Sequence, residues 1–167
     1  IAFLSNSPGT AQVFVASVEG GTPKQITHFA DRVMAVHWSP KDPDLLLILR
    51  DTGGDEHAQL CTIRADGSSF RDLTHSPKVF HQFGDWSPDG RRLLYASNAR
   101  HVRYFDVHIL DLDTGDTRTV FQGDDYHFAG EWSPDGRTVL VGCATGSFNN
   151  DLFAIDVATG KSRLLTA

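Results

Sequence analysis

Arg100, His101, Arg103 and Tyr104 put two guanidiniums, an imidazole and a phenol into one short stretch, a group suited to holding a carboxylate or a peptide carbonyl. Asp124, Asp125 and Tyr126 offer the opposite charge further along, suited to a substrate ammonium. Each set also reads as a solvated loop carrying one rim ion pair, so the two stand as candidates for substrate binding. Asp55 and Glu56 are better read as carboxylates that bond backbone amides and fix a turn. Asp111, Asp113 and Asp116 resemble the start of a calcium loop, but the Gly at its sixth position and the Glu at its twelfth are missing, which leaves turn chemistry.

The residues of covalent and metal chemistry lack their usual spacing. No G-x-S-x-G occurs, and Ser39, Ser87 and Ser133 each stand between Trp and Pro in a repeated turn, so no catalytic residue is assigned. The 8 histidines form no H-x-H or H-E-x-x-H, and neither a metal nor another cofactor is expected. Cys61 and Cys143 have no C-x-x-C partner and read as buried free thiols, compatible with a reducing compartment.

The chain that must position these groups has 167 residues, 15 Lys plus Arg against 21 Asp plus Glu, and a net charge of -6. A folded chain of this size buries roughly 70% of its unfolded surface, enough for a core without disulfides or metals. The negative charge argues against nucleic acid or an anionic membrane as a partner, since both reward a concentrated positive patch. The longest apolar run is Leu45 to Leu49, far below the roughly 18 to 20 residues that cross a bilayer.

Trp-Ser-Pro recurs at Trp38, Trp86 and Trp132, 48 and 46 residues apart, and two of the copies continue as W-S-P-D-G. Behind each copy comes the same series of short apolar segments separated by Gly, Asp, Asn, Ser and Pro. The segments start at Ile1, Leu45, Arg92 and Thr138, then at Ala11, Ala58, Phe105 and Asn150, then at Lys24, Phe70, Thr117 and Ser162. Their richness in Val, Ile, Leu, Phe and Thr predicts strands, and no stretch holds a helical apolar spacing. Four short antiparallel strands in a unit of about 40 to 50 residues is the pattern of a β-propeller blade.

The fold expected is therefore all-β, a partial β-propeller of four blades covering residues 1–30, 31–76, 77–122 and 123–167. Labelled a to d from the axis outward, the first blade lacks its innermost strand, so the chain reads as a segment of a longer propeller. Pro88 and Pro134 preset φ in the a-to-b turns, Asp89 and Asp135 bond back to the backbone, and Gly90 and Gly136 take positive φ. The copy at Trp38 runs on as Lys41-Asp42-Pro43-Asp44, so its turn should be longer and less regular. The Trp side chains are expected to fill the wedges between blades.

Antiparallel alternation puts the uniform a-to-b and c-to-d turns on one face and the variable b-to-c and d-to-a connections on the other. The b-to-c loops are 6–10, 52–57, 99–104 and 145–150, and the d-to-a connections are 30–32, 76–82 and 123–128. Both candidate sets fall on this second face, where variation within a uniform repeat favours a binding surface.

The W-S-P-D-G repeat, RDTGGDEHAQL at Arg50 to Leu60, SNARHVRYFDVHILDLDTGD at Ser97 to Asp116 and NDLFAIDVATG at Asn150 to Gly160 resemble the N-terminal propeller of the prolyl oligopeptidase family, in its acylaminoacyl-peptidase and dipeptidyl-peptidase-like branch. W-S-P-D-G with N-D-L-F-x-I-D is shared with TolB-type propellers, whereas GGDEHAQL leans towards the peptidases. The resemblance implies a non-catalytic propeller segment that gates access and helps position peptides over a C-terminal α/β-hydrolase domain of the same parent chain. In the dipeptidyl branch a b-to-c loop supplies an Arg to the active site, which by loop position corresponds to Arg100 or Arg103. The Glu pair that this branch uses for the substrate amine has no counterpart here. A TolB-like protein-binding propeller without catalysis is the alternative, as is a homo-oligomer in which open blade edges complete one another. The peptidase reading implies a cytoplasmic setting and the TolB-like one a periplasmic setting.

Overall fold

The structure, a computed structural model, describes residues 1–146 and 149–166. Among these residues it contains fifteen strands and no helix: β1 (Ala2–Ser5), β2 (Gln12–Val15), β3 (Lys24–Gln25), β4 (Val33–Trp38), β5 (Leu45–Arg50), β6 (Gln59–Arg64), β7 (Arg71–Asp72), β8 (His81–Trp86), β9 (Arg92–His101), β10 (Tyr104–Asp111), β11 (Thr117–Phe121), β12 (Tyr126–Trp132), β13 (Thr138–Gly146), β14 (Asn149–Asp156) and β15 (Ser162–Leu164). The chain divides into two compact units, Ile1–Lys78 and Val79–Ala167.

The first unit holds a three-stranded sheet, β1-β2-β3, and a four-stranded sheet, β4-β5-β6-β7, both antiparallel in chain order. The continuous apolar run of β5 makes it a strand covered on both faces, and Leu46, Leu47 and Ile48 are all fully buried. Val13, Ile26, Val33, Leu46, Ile48, Cys61 and Ile63 form its core, with Trp38 half-buried against them.

In the second unit, β8-β9-β10-β11 and β12-β13-β14-β15 are antiparallel meanders joined by a single parallel bridge, Phe105 to Tyr126. Trp132 packs into a core with Leu94, Phe105, Val107, Ile109, Val139, Val141 and Ile155. The indole Nε1 atoms of Trp86 and Trp132 are buried without a hydrogen-bond partner, so these side chains act by filling space. The innermost strands β8 and β12 touch: a Cβ on Gly84 would lie 2.6 Å from that of Ala129. Asp85 ties the same two strands, accepting from the Trp132 amide at 3.2 Å.

The Ser of each W-S-P-D-G turn has a structural task. Ser87 Oγ donates to Asp89 at 2.5 Å and accepts from the Arg92 amide at 2.9 Å, and Ser133 repeats this with Asp135 and Thr138 at 2.6 and 2.9 Å. Gly90 and Gly136 close these turns at φ of 71° and 69°. Ser39 instead caps the amides of Lys41 and Asp42 in the longer second turn, which Arg64 braces through Asp42 at 2.6 Å.

The expected b-to-c loop at 99–104 is corrected: β9 runs through His101 and β10 starts at Tyr104, leaving Val102 and Arg103 as the turn. Likewise Tyr126–Phe128 lie in β12, and His81 and Gln82 in β8. Polarity marked these stretches as exposed, but exposure does not end a hydrogen-bonded ladder. Within the expected loop 145–150, residues 147 and 148 lie outside the described residues.

Candidate functional site

All seven candidate residues lie in the second unit, where the β9–β10 hairpin meets the start of β12. The hairpin is irregular. Between the pairs Ser97–Asp106 and His101–Tyr104, β9 carries two more residues than β10, a bulge containing Asn98, Ala99 and Arg100. Such bulges bend a strand and re-aim its side chains. Asn98 secures the bulge by accepting from the Phe80 amide at 2.9 Å and donating to the Val102 carbonyl at 3.2 Å.

The bulge turns Arg100 inward onto Asp106, which is 3% exposed. Nε and Nη2 of Arg100 hold the two carboxylate oxygens at 2.7 and 3.0 Å, a fork-to-fork pair. Nη1 reaches Asp124 at 3.1 Å, and Nη2 also donates to the Gly123 carbonyl. Burial alone would raise the Asp106 carboxyl, but Arg100 outweighs it and holds the group below the usual carboxylate range. The two carboxylates in turn hold the Arg100 guanidinium above its ordinary value, Asp106 most strongly. Arg100 and Asp124, read from sequence as separate hooks for opposite charges, here pair with each other, with Asp106 as the stronger partner of Arg100.

Arg103 is differently placed. It is exposed at the hairpin tip, has no carboxylate at ion-pair distance among the described residues, and lies with its guanidinium 6.0 Å from the Tyr104 ring centre. His101 stacks on Tyr104 at 4.3 Å and accepts from the Arg103 amide at 3.3 Å. Tyr126 packs on Phe105 at 4.7 Å and its hydroxyl accepts from the Gln82 side chain. The backbone carbonyl of Asp125 accepts from the Phe105 amide at 3.2 Å, while its exposed carboxylate turns towards His127 and Cys143. Burial, then Asp125 and Asp151, push the Cys143 thiol up.

Two features escaped the sequence reading. Asp106 reads in the sequence as one more residue of an apolar strand, although a lone carboxylate in such a strand must find a partner. The grouping of Cys143 with Asp125 and His127 leaves no trace in local spacing, because it arises from cross-strand register. On the face of uniform turns, a cleft of 610 Å³ is lined by Arg92, Arg118, Arg137 and Asp156 and contains none of the seven candidates. Its cations serve packing: Arg92 lies 4.7 Å over the Trp132 ring and Arg118 donates to the Val157 carbonyl at 2.7 Å.

In the first unit, Asp55 does cap a backbone amide, that of His57, at 3.0 Å. Glu56 does not, since its carboxylate is directed at Arg32, 3.9 Å away. Asp111, read as a turn residue, accepts from the amides of Asp113 and Thr114 at 2.9 and 3.0 Å. Cys61 and Cys143 are both buried and free.

Residues 1–167 match the PD40 family, described as the TolB beta propeller domain. Over 127 residues the chain is 28% identical to dipeptidyl aminopeptidase BIII of Pseudoxanthomonas mexicana, a match covering 75% of this chain but 18% of that protein. Among solved structures it is similar to TolB from Acinetobacter baumannii, with a TM-score of 0.72 at 17% identity over 99% of this chain and 41% of that one. It is similar also to a prolyl endopeptidase, with a TM-score of 0.72 at 16% identity over 94% of this chain and 26% of that one. The structural likenesses speak for the fold, and the repeated turns, the four-stranded meanders and the match along the whole sequence together make this chain a member of the TolB β-propeller domain family, folded as a partial propeller.

Proposed function

We propose that this chain is the non-catalytic propeller segment of a serine peptidase of the prolyl oligopeptidase type, gating access to a C-terminal α/β-hydrolase domain of the same parent chain and helping to position its peptide substrates. The observation that carries this reading is Arg103, an exposed cation without an ion-pair partner among the described residues, on a hairpin pinned by Arg100 gripping the buried Asp106. A guanidinium held on a rigid support can take a peptide carbonyl or carboxylate with little ordering cost at the moment of binding. Tyr104 and His101 beside it supply a flat surface for the adjoining residue of the peptide. The sequence kinship with a dipeptidyl aminopeptidase supports the same class of substrate.

The parent protein should contain G-x-S-x-G downstream of Ala167, react with a fluorophosphonate probe for activated serines, and cleave short peptides in preference to folded proteins. A parent that takes no label and cleaves no peptide would overturn the proposal. It would then favour the second reading, a protein-binding propeller, which is supported by the likeness to TolB over 99% of the chain.

A further inference from the structure

β12 and β13 pair antiparallel with His127 opposite Cys143. Opposed residues on one face of a sheet bring their Cβ atoms to about 5 Å, so the imidazole and the thiol are neighbours. Asp125 lies in the bend just before β12, two residues ahead of His127, and turns its carboxylate towards the same pair. A carboxylate oxygen, a ring nitrogen and a sulfur thereby come within 4.8 Å of one another. His127 and Cys143 are buried and Asp125 is exposed, which gives the group a dry floor and a wet mouth.

Two further contacts prepare this group for a ligand. His127 Nδ1 lies 2.7 Å from the Phe105 carbonyl oxygen, which can only accept, so Nδ1 carries the proton and Nε2 keeps the lone pair. A backbone carbonyl fixing the tautomer and the ring in this way is the outer support that metal-binding histidines use. Gly123 packs beside the same ring: a Cβ there would lie 2.8 Å from Cε1 and 3.2 Å from Nε2, so its absence leaves room next to the lone pair.

We propose that Asp125, His127 and Cys143 form a binding site for one divalent cation of the zinc type, with a fourth position open to water or to a donor from a ligand. Sulfur, nitrogen and oxygen donors together suit zinc, which binds them at about 2.3, 2.0–2.1 and 2.0–2.2 Å, whereas magnesium and calcium take oxygen alone. Donors within 4.8 Å of one another need to close by about 1 Å to reach the tetrahedral edges those bond lengths set. On binding, the metal replaces the thiol proton, which leaves to solvent. The site lies at the start of β12, on the face of the variable connections that also bears the Arg100–Asp124 pair.

Titration of the purified chain with Co²⁺, the spectroscopic stand-in for zinc, tests this directly. The site predicts one equivalent bound, with a thiolate-to-cobalt charge-transfer band and the visible bands of tetrahedral cobalt, both erased by added zinc. Cys143→Ser should abolish the charge-transfer band. Asp125→Asn, at an exposed position that leaves the fold intact, should weaken binding at least tenfold, and Cys61→Ser should change nothing. A titration without the thiolate band, or a band that persists in Cys143→Ser, overturns the site.

Discussion

The second and third blades solve the same problem at the same place in the repeat, the connection from strand b to strand c, and solve it in opposite ways. In the second, the chain leaves β5 through a glycine-rich turn with Gly53, Gly54 and Glu56 at φ of 66°, 72° and 65°. Asp51, with its side chain fully buried, anchors this loop by accepting from the Glu56 amide at 3.1 Å and from Arg32 at 3.3 Å, but its Oδ1 has no hydrogen-bond partner. In the third, the ladder continues past the core, and the buried Asp106 has each oxygen gripped by Arg100 with the Gly123 amide in addition. A half-satisfied buried carboxylate fastens a loop, whereas a fully satisfied one makes a rigid arm whose neighbouring cation is free to act. The contrast locates the binding candidate at the Arg103 hairpin rather than at the Gly-Gly loop.

Removing the better-satisfied carboxylate should do the most damage. Asp106→Ala leaves Arg100 with only the exposed Asp124 and the Gly123 carbonyl as partners, and should cost about 2 kcal/mol in denaturant unfolding. Asp51→Asn should cost under about 1 kcal/mol, because one oxygen makes no bond to lose. Equal losses would dissolve the comparison. Gly84→Ala forces a methyl group against Ala129 and should cost about 1–3 kcal/mol by overpacking, read as a lower denaturant midpoint. Ser87→Ala removes the acceptor of the Arg92 amide and should cost about 1 kcal/mol, an effect that Ser133→Ala should reproduce if the turns are equivalent.

The smallest effects concern pH. Burial and His81 lower His108 despite the opposing pull of Asp106. Its folded value therefore lies below its unfolded one of about 6.5, so the unfolded chain binds the proton first and stability falls as pH drops from 7 to 5. That component should shrink in His108→Gln, whose unfolding midpoint should vary less over this range. Asp106 acts lower down: with its folded value depressed, it contributes above the unfolded value of about 3.9, and that contribution disappears as pH falls through the folded one. An unfolding midpoint already falling steeply at pH 6 in His108→Gln would contradict this assignment.

The strand order was legible because Trp-Ser-Pro-Asp-Gly states turn geometry residue by residue: Asp89 and Gly90 each do in the structure what their chemistry requires. That the two polar stretches meet was legible in part, since Arg100 and Asp124 do fall beside one another. Which charges remain available was not. The pairing of Arg100 with Asp106 depends on a two-residue bulge, and nothing in the polar stretch 99–104 separates a bulged ladder from a loop. Cys143 was hidden for a related reason, because its neighbours come from the facing strand and its own surroundings read as ordinary core.

Steady-state peptide hydrolysis by the proposed parent peptidase carrying either Arg103→Ala or Arg100→Ala is the sharpest test of whether the hairpin presents a free cation on a pinned support. The account predicts that Arg103→Ala raises KM about tenfold at unchanged melting temperature, in keeping with the loss of one charged hydrogen bond. Arg100→Ala should lower the melting temperature instead, by removing the partner of Asp106. Wild-type kinetics in Arg103→Ala, or a KM effect that follows melting temperature alone in both variants, would contradict it.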